Sequence, residues 1–303
     1  MDREFNPEEG ISPRELFDKF ERTSHVISHV GLPRSPVQRE FHSTEAHSPD
    51  FRTPDPRTFH QIRGRLYRLR SSEISAMVEI GKFHTVAVED LCKSAYSGHK
   101  NRMRPDLESL LRQGLVQMKS VPREDKGPRQ LLALTKTGHG LLKGQQAAGE
   151  EQILYHGFKK RKEAHHDADL YPLYQKEAEK IKRNGGRNLR VILDYELQKK
   201  IYHDLAKLGP DRARPENMRT TAERHGLQVV RGKIPLPDLR IEYDTPDGER
   251  SRVDVELATS HYRLRHLLEK VGAGFSIYAH SSDVPNLRRV LDQRELTAEI
   301  LSL

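Results

Sequence analysis

Cysteine is nearly absent. Cys92 is the single one, which excludes a disulfide framework and any zinc site built on cysteine pairs, and its neighbours Val88, Leu91 and Tyr96 make it a small core residue. Long apolar runs are missing too: no stretch approaches the ~20 residues that a bilayer-spanning helix needs. The opening Met1-Asp2-Arg3-Glu4-Phe5-Asn6-Pro7 lacks the basic-then-apolar order of a signal peptide. A cytoplasmic protein with no membrane attachment is therefore expected. No glycine-rich phosphate loop and no nucleophile elbow occur. Apolar residues reach only 35% against 32% charged, so part of the 303-residue chain carries no core.

The thin part is N-terminal. Residues 1–57 hold seven of the 17 prolines and few aliphatic side chains, too little apolar surface to offset the entropy of ordering, so a disordered arm is expected. Within it, Ser12-Pro13-Arg14-Glu15 has capping-box spacing with Pro at the first helical position, followed by Leu16, Phe17 and Phe20 on one face. That short helix is read either as a docking element for a protein partner or as a transient turn without one.

From residue 58 the periodicity predicts helices. Ile62, Leu66 and Leu69 share one face; Ile74, Met77, Val78 and Phe83 form the next helix, with Ser71 or Ser72 as its cap. A third helix opens at Val88, a fourth spans about 101–113, and two strands, Leu115–Met118 and Leu131–Leu134, flank a polar tip. Thr135 caps a last helix. This is the order of a winged helix-turn-helix over residues 58–146. The start of its fourth helix offers His99, Lys100, Asn101, Arg102 and Arg104 to a major groove, while the tip adds Arg123, Lys126 and Arg129 for flanking phosphates. The net charge of +8 fits double-stranded DNA as the partner once it is concentrated in two such clusters. A winged helix used for protein contact, with those charges only solvated, is the competing reading.

Residues 147–163 read as a basic linker ending in Lys159-Lys160-Arg161-Lys162. The rest, 164–303, reads as a mixed unit: a helix over 165–183, a strand over 189–193, two helices, then a hairpin. Its strands Leu239–Tyr243 and Arg252–Ala258 are joined through Asp247-Gly248, and a helix and a strand follow. The fold class is α+β, a winged helix followed by an α/β domain. In the hairpin Val253, Val255 and Leu257 point one way, Asp254 and Glu256 the other. Asp238 opens the partner strand on the acidic side. Three carboxylates in one area repel unless a cation lies between them, and hard oxygen donors select Mg²⁺ or Mn²⁺; a solvated acidic face is the plainer alternative. His165, His166, Asp167 and Asp169 invite a metal reading, but adjacent histidines diverge on a helix, and the dipole explains the acids. Only His166 is retained as a further candidate.

Pro237-Asp238 followed by Asp254-Val255-Glu256, a helix and a strand resembles the PD-(D/E)XK nuclease core. That resemblance implies that the acids hold a metal which activates water and that a lysine stabilises charge on the phosphate. The chain departs from the pattern. Two residues after Asp254 stands Glu256, and two after Glu256 stands Ala258, so either register lacks the lysine. A winged helix followed by the Pro-Asp strand and by Asp254, Glu256 and Thr259, with Lys270 in the next helix and Tyr278 in the strand after it, resembles the bacterial replication-relaxation family found with plasmids and other mobile elements. The resemblance implies a DNA-binding regulatory or replication-associated protein with a degenerate nuclease domain. The alternative is an active metal-dependent endonuclease using Asp238, Asp254, Glu256 and Lys270; a protein-interaction scaffold is the third class. Lys270 is read either as a relocated catalytic lysine or as a cation favoured by the helix C-terminus.

Overall fold

A computed structural model describes residues 56–123, 127–145, 147–149, 151–158, 164–259, 262, 264–292 and 300–302. Residues 1–55 of the N-terminal arm with its Ser12–Phe20 segment, residues 159–163 and Lys126 lie outside the described residues. The first departure from the periodicity comes at once. Residues 58–69 form an antiparallel hairpin of β1 (Thr58–Ile62) and β2 (Arg65–Leu69), not a helix. Arg63 and Gly64 both take positive φ, 48° and 77°, the backbone of a two-residue primed turn that no helix accommodates. Period two then decides burial: Tyr67 and Leu69 enter the core while Leu66 stays exposed.

Glu73 fixes the start of α1 (Ser71–Lys82), accepting the Arg70 backbone N–H at 2.6 Å, so the cap is Arg70 rather than Ser71 or Ser72. A two-residue strand β3 (Val86–Ala87) leads into α2 (Val88–Ala95), which stops where Ser97 and Gly98 turn left-handed. Then follow α3 (Lys100–Arg112), β4 (Val116–Val121), β5 (Arg129–Leu134) and α4 (Lys136–Gly144). Thr135 caps α4 as expected: its Oγ1 accepts the Gly138 N–H at 3.0 Å. The three strands pair antiparallel in the order β3-β5-β4, and Met77, Ile80, Met103, Leu107, Leu110 and Leu132 fill the space between sheet and helices.

Residues 151–158, read from the sequence as linker, are docked on both sides. The Tyr155 N–H reaches the Gly81 carbonyl at 2.7 Å, the Gly157 N–H reaches Leu134 at 2.8 Å, and the Gln152 side chain brackets the backbone of Val191. Beyond them α5 (Ala164–Arg183) precedes β6 (Arg187–Leu193), α6 (Asp194–Lys207), a short 3₁₀ turn and α7 (Pro215–Arg224). The hairpin β7 (Leu239–Asp244) and β8 (Arg250–Ala258), α8 (Leu264–Gly272), β9 (Ser276–Ala279), α9 (Val284–Asp292) and β10 (Ile300–Ser302) complete the chain. The sheet runs β10-β9-β8-β7-β6; its β6, β7 and β8 are antiparallel, while β8, β9 and β10 are parallel. Parallel neighbours need a crossover, which α8 supplies between β8 and β9.

Among the described residues the chain is therefore a mixed α+β protein with nine α-helices and three sheets. α5 ties it together. Tyr171 is fully buried with its ring 5.3 Å from Phe83, and one apolar cluster continues from Leu69 through Tyr171 and Tyr174 to Tyr278. Among the described residues no helix is long and apolar enough to cross a membrane.

Candidate nucleic-acid interface and carboxylate site

α3 is amphipathic in the way a groove-reading helix requires. Met103, Leu107 and Leu110 are buried against the sheet, and His99, Lys100, Asn101 and Arg102 are exposed on its first turn. Arg104 lies further round the helix, with its Nε 3.0 Å from Glu108. Arg123, partly exposed near the tip, lies 3.7 Å from Glu89.

Arg129 is not at the surface. Its side chain is 3% exposed and its guanidinium lies 2.6 Å from Asp169 and 2.7 Å from Asp90, with Glu89 at 3.2 Å. Asp169 in turn meets His280 at 3.1 Å. The expected phosphate contact is thus corrected: Arg129 opens β5, where pairing with Val121 turns its side chain toward α5, and three acids compensate the buried charge. Burial works against the Asp169 anion, but His280 and Arg129 hold its carboxyl below the usual range. The Asp169 hydrogen bond, working against burial, raises His280.

The strand register decides what becomes of the three acids. Leu239 pairs with Val255 and Arg240 with Asp254, so the group facing Asp254 is a cation. Arg240, itself 3% exposed, grips both oxygens of Asp254 at 2.6 and 2.8 Å and donates to the His225 carbonyl at 2.6 Å. Asp238 and Glu256 do come together. The Asp238 N–H donates to Glu256 at 3.2 Å, and the Leu257 N–H donates to the Asp238 carboxylate at 2.9 Å.

Lys270 joins this pair. Its Nζ stands 2.8 Å from the Glu256 carboxylate and also donates to the Leu236 carbonyl. Tyr262 donates its hydroxyl to the other Glu256 oxygen, and His166 Nε2 lies 3.4 Å from Asp238. Glu256 is 1% exposed. Burial and the neighbouring Asp238 charge push its carboxyl up to about 7, against the opposing pull of Lys270 and Tyr262. Burial lowers His166, but the Asp238 hydrogen bond and charge outweigh it and raise the imidazole to about 9.

A divalent ion needs carboxylate oxygens with lone pairs to spare. Arg240 occupies both oxygens of Asp254; Lys270, Tyr262 and a backbone N–H occupy those of Glu256. Among the described residues no three His, Cys, Asp or Glu side chains are grouped to hold a metal ion. The arrangement does not fit a three-carboxylate Mg²⁺ or Mn²⁺ centre. Alternation along β7 puts Arg240 on the side of Asp238, but a two-residue Asp247-Gly248 turn would set it opposite Val255; only the observed register, with Asp244 against Arg250, sets it opposite Asp254. Nothing in the sequence marked Tyr262. Compared with family models, with curated proteins and with solved structures, the chain shows no significant match.

Proposed function

We propose that the chain is a DNA-binding protein of the replication-relaxation type, associated with the replication or mobilisation of plasmids or mobile elements or with its regulation. In this reading residues 58–146 are a winged helix-turn-helix that reads double-stranded DNA through the first turn of α3. The five-stranded part is a degenerate PD-(D/E)XK nuclease fold used for binding or assembly. The observation that carries the first half is the division of α3 into an exposed basic start and a buried apolar side. The internal neutralisation of Asp254 by Arg240 and of Glu256 by Lys270 supports the second.

One observation favours the runner-up, a metal-dependent endonuclease. Lys270, in the helix after β8, reaches the same acid pair that a lysine on β8 would serve. A supercoiled-plasmid nicking assay with Mg²⁺ or Mn²⁺, run beside a gel shift on the same protein, separates the readings. Duplex binding with no nicking supports the degenerate fold, whereas rapid nicking that survives Lys270→Ala contradicts it. A scaffold that works by protein contact gives neither shift nor cut.

A further inference from the structure

The β1–β2 hairpin takes no part in the reading above. Its register pairs Phe59 with Arg68 and Gln61 with Leu66 on the outer face, above the buried Tyr67 and Leu69. Phe59 is 70% exposed and Leu66 63%, the two highest values among the large apolar side chains described. As diagonal cross-strand neighbours they lie roughly 7–8 Å apart. Arg68 on the same face and Arg63 at the tip flank them, both exposed, while Arg65, paired with Ile62, projects to the other side; the segment Thr58–Leu69 contains no Asp or Glu. Two of the guanidiniums of the ribbon meet aromatic rings: Arg68 lies over Phe59 on the outer face and Arg65 over Tyr67 on the other. Arg63 keeps the tip at φ 48°, where Asn or Gly is the unstrained occupant.

An apolar patch bordered by arginine, on a ribbon without a carboxylate, is complementary to nucleic acid, whose bases offer π-faces and whose phosphates offer charge. The other face of the ribbon is covered. Ile62 lies against Gly140 of α4, and His60 contacts Gln145 at 2.6 Å. A ribbon fixed in this way cannot slip into a minor groove about 6 Å wide, but a single strand can lie across its free face.

We propose that the outer face of this hairpin binds single-stranded DNA, with a base stacked on Phe59 beside Leu66 and phosphates held by Arg63 and Arg68. The choice of DNA over RNA rests on the DNA-binding reading of α3; the surface itself does not. The test is fluorescence anisotropy of the full chain with labelled oligo-dT of roughly 12 nucleotides, with a duplex and oligo-rU in parallel and circular dichroism as the folding control. Phe59→Ala is expected to weaken oligo-dT binding about ten-fold or more, and Arg63→Ala with Arg68→Ala to reduce its salt slope by about 1.4, both leaving duplex affinity unchanged. Phe59→Tyr, which keeps a ring, should bind like the wild type. If duplex binding is missing while oligo-dT binding still depends on Phe59, the hairpin proposal stands and the α3 reading fails. No oligo-dT binding by the wild type, unchanged binding in both variants, or tighter binding of oligo-rU would overturn the proposal.

Discussion

Replacing Arg240 by Met strands a buried anion. The guanidinium is the partner of both Asp254 oxygens, at 2.6 and 2.8 Å, and the Asp254 side chain is only 11% exposed. Met keeps the apolar length of the side chain, so the change isolates the charge. Breaking a buried pair from one side costs about 3–5 kcal/mol, which for a chain of this size lowers the melting temperature by on the order of 10 °C. Two backbone carbonyls, of His225 and Gly226, lose their donor as well. Asp254→Asn in the same background removes the stranded charge and should restore a large part of the loss, a coupling that a double-mutant cycle reads directly. Urea unfolding at neutral pH is the assay. If Arg240 is the cation that makes a metal unnecessary, millimolar Mg²⁺ should leave the wild type unchanged and partly rescue Arg240→Met. A loss below about 1 kcal/mol, with no coupling to Asp254, would refute the reasoning and return Asp254 to the pool of metal ligands.

Arg129→Gln should cost a comparable ~3–5 kcal/mol, because Asp90 and Asp169 are left facing each other. Duplex affinity per folded molecule should not change; a large affinity loss at small stability cost would restore Arg129 to the DNA surface. Glu256 gives the unfolding free energy a pH slope. Its folded carboxyl, raised from 4.5 to about 7, holds a proton that the unfolded chain has released, so stability falls as pH rises through that window, and Glu256→Gln should flatten the slope between pH 4.5 and 7. His166, raised from 6.5 to about 9, contributes stability that is complete below 6.5 and lost as pH rises through 9. A slope unchanged by His166→Gln in the upper window would separate the imidazole from Asp238. Thr135→Ala should cost about 1 kcal/mol by thermal melt through loss of the α4 cap, and Thr135→Ser much less.

What the sequence discloses depends on whether the signal is local. The Asp247-Gly248 turn and the alternation of Val253, Val255 and Leu257 mark the β7–β8 hairpin because both arise from neighbouring residues. The same holds for Thr135 at the start of α4 and for the apolar side of α3. The 58–69 segment misleads because Ile62, Leu66 and Leu69 satisfy helical spacing by coincidence, while the deciding feature is the Arg63-Gly64 turn. β3 is two residues long and β10 three, too short to show a period, and each pairs with a strand distant in sequence.

Side-chain partners are less legible still. That Lys270 meets Glu256 was open from the order of elements, since the helix after a central strand lies over its end. That Arg240 meets Asp254 and that Arg129 turns inward both depend on register and on which face α5 covers. A single residue of slip would reverse them.

The central claim is that the first turn of α3 reads duplex DNA. Its most direct test is the salt dependence of duplex affinity for the full chain, compared between the wild type and Lys100→Glu with Arg102→Glu, two exposed positions whose change leaves the buried side of the helix intact. Each phosphate contact contributes about 0.9 to the slope of log affinity against log salt. The double variant is therefore expected to bind at least ten-fold more weakly at low salt, with a slope shallower by about 2. Equal affinity and equal slope in the two proteins would contradict the assignment of α3 as the DNA-reading helix.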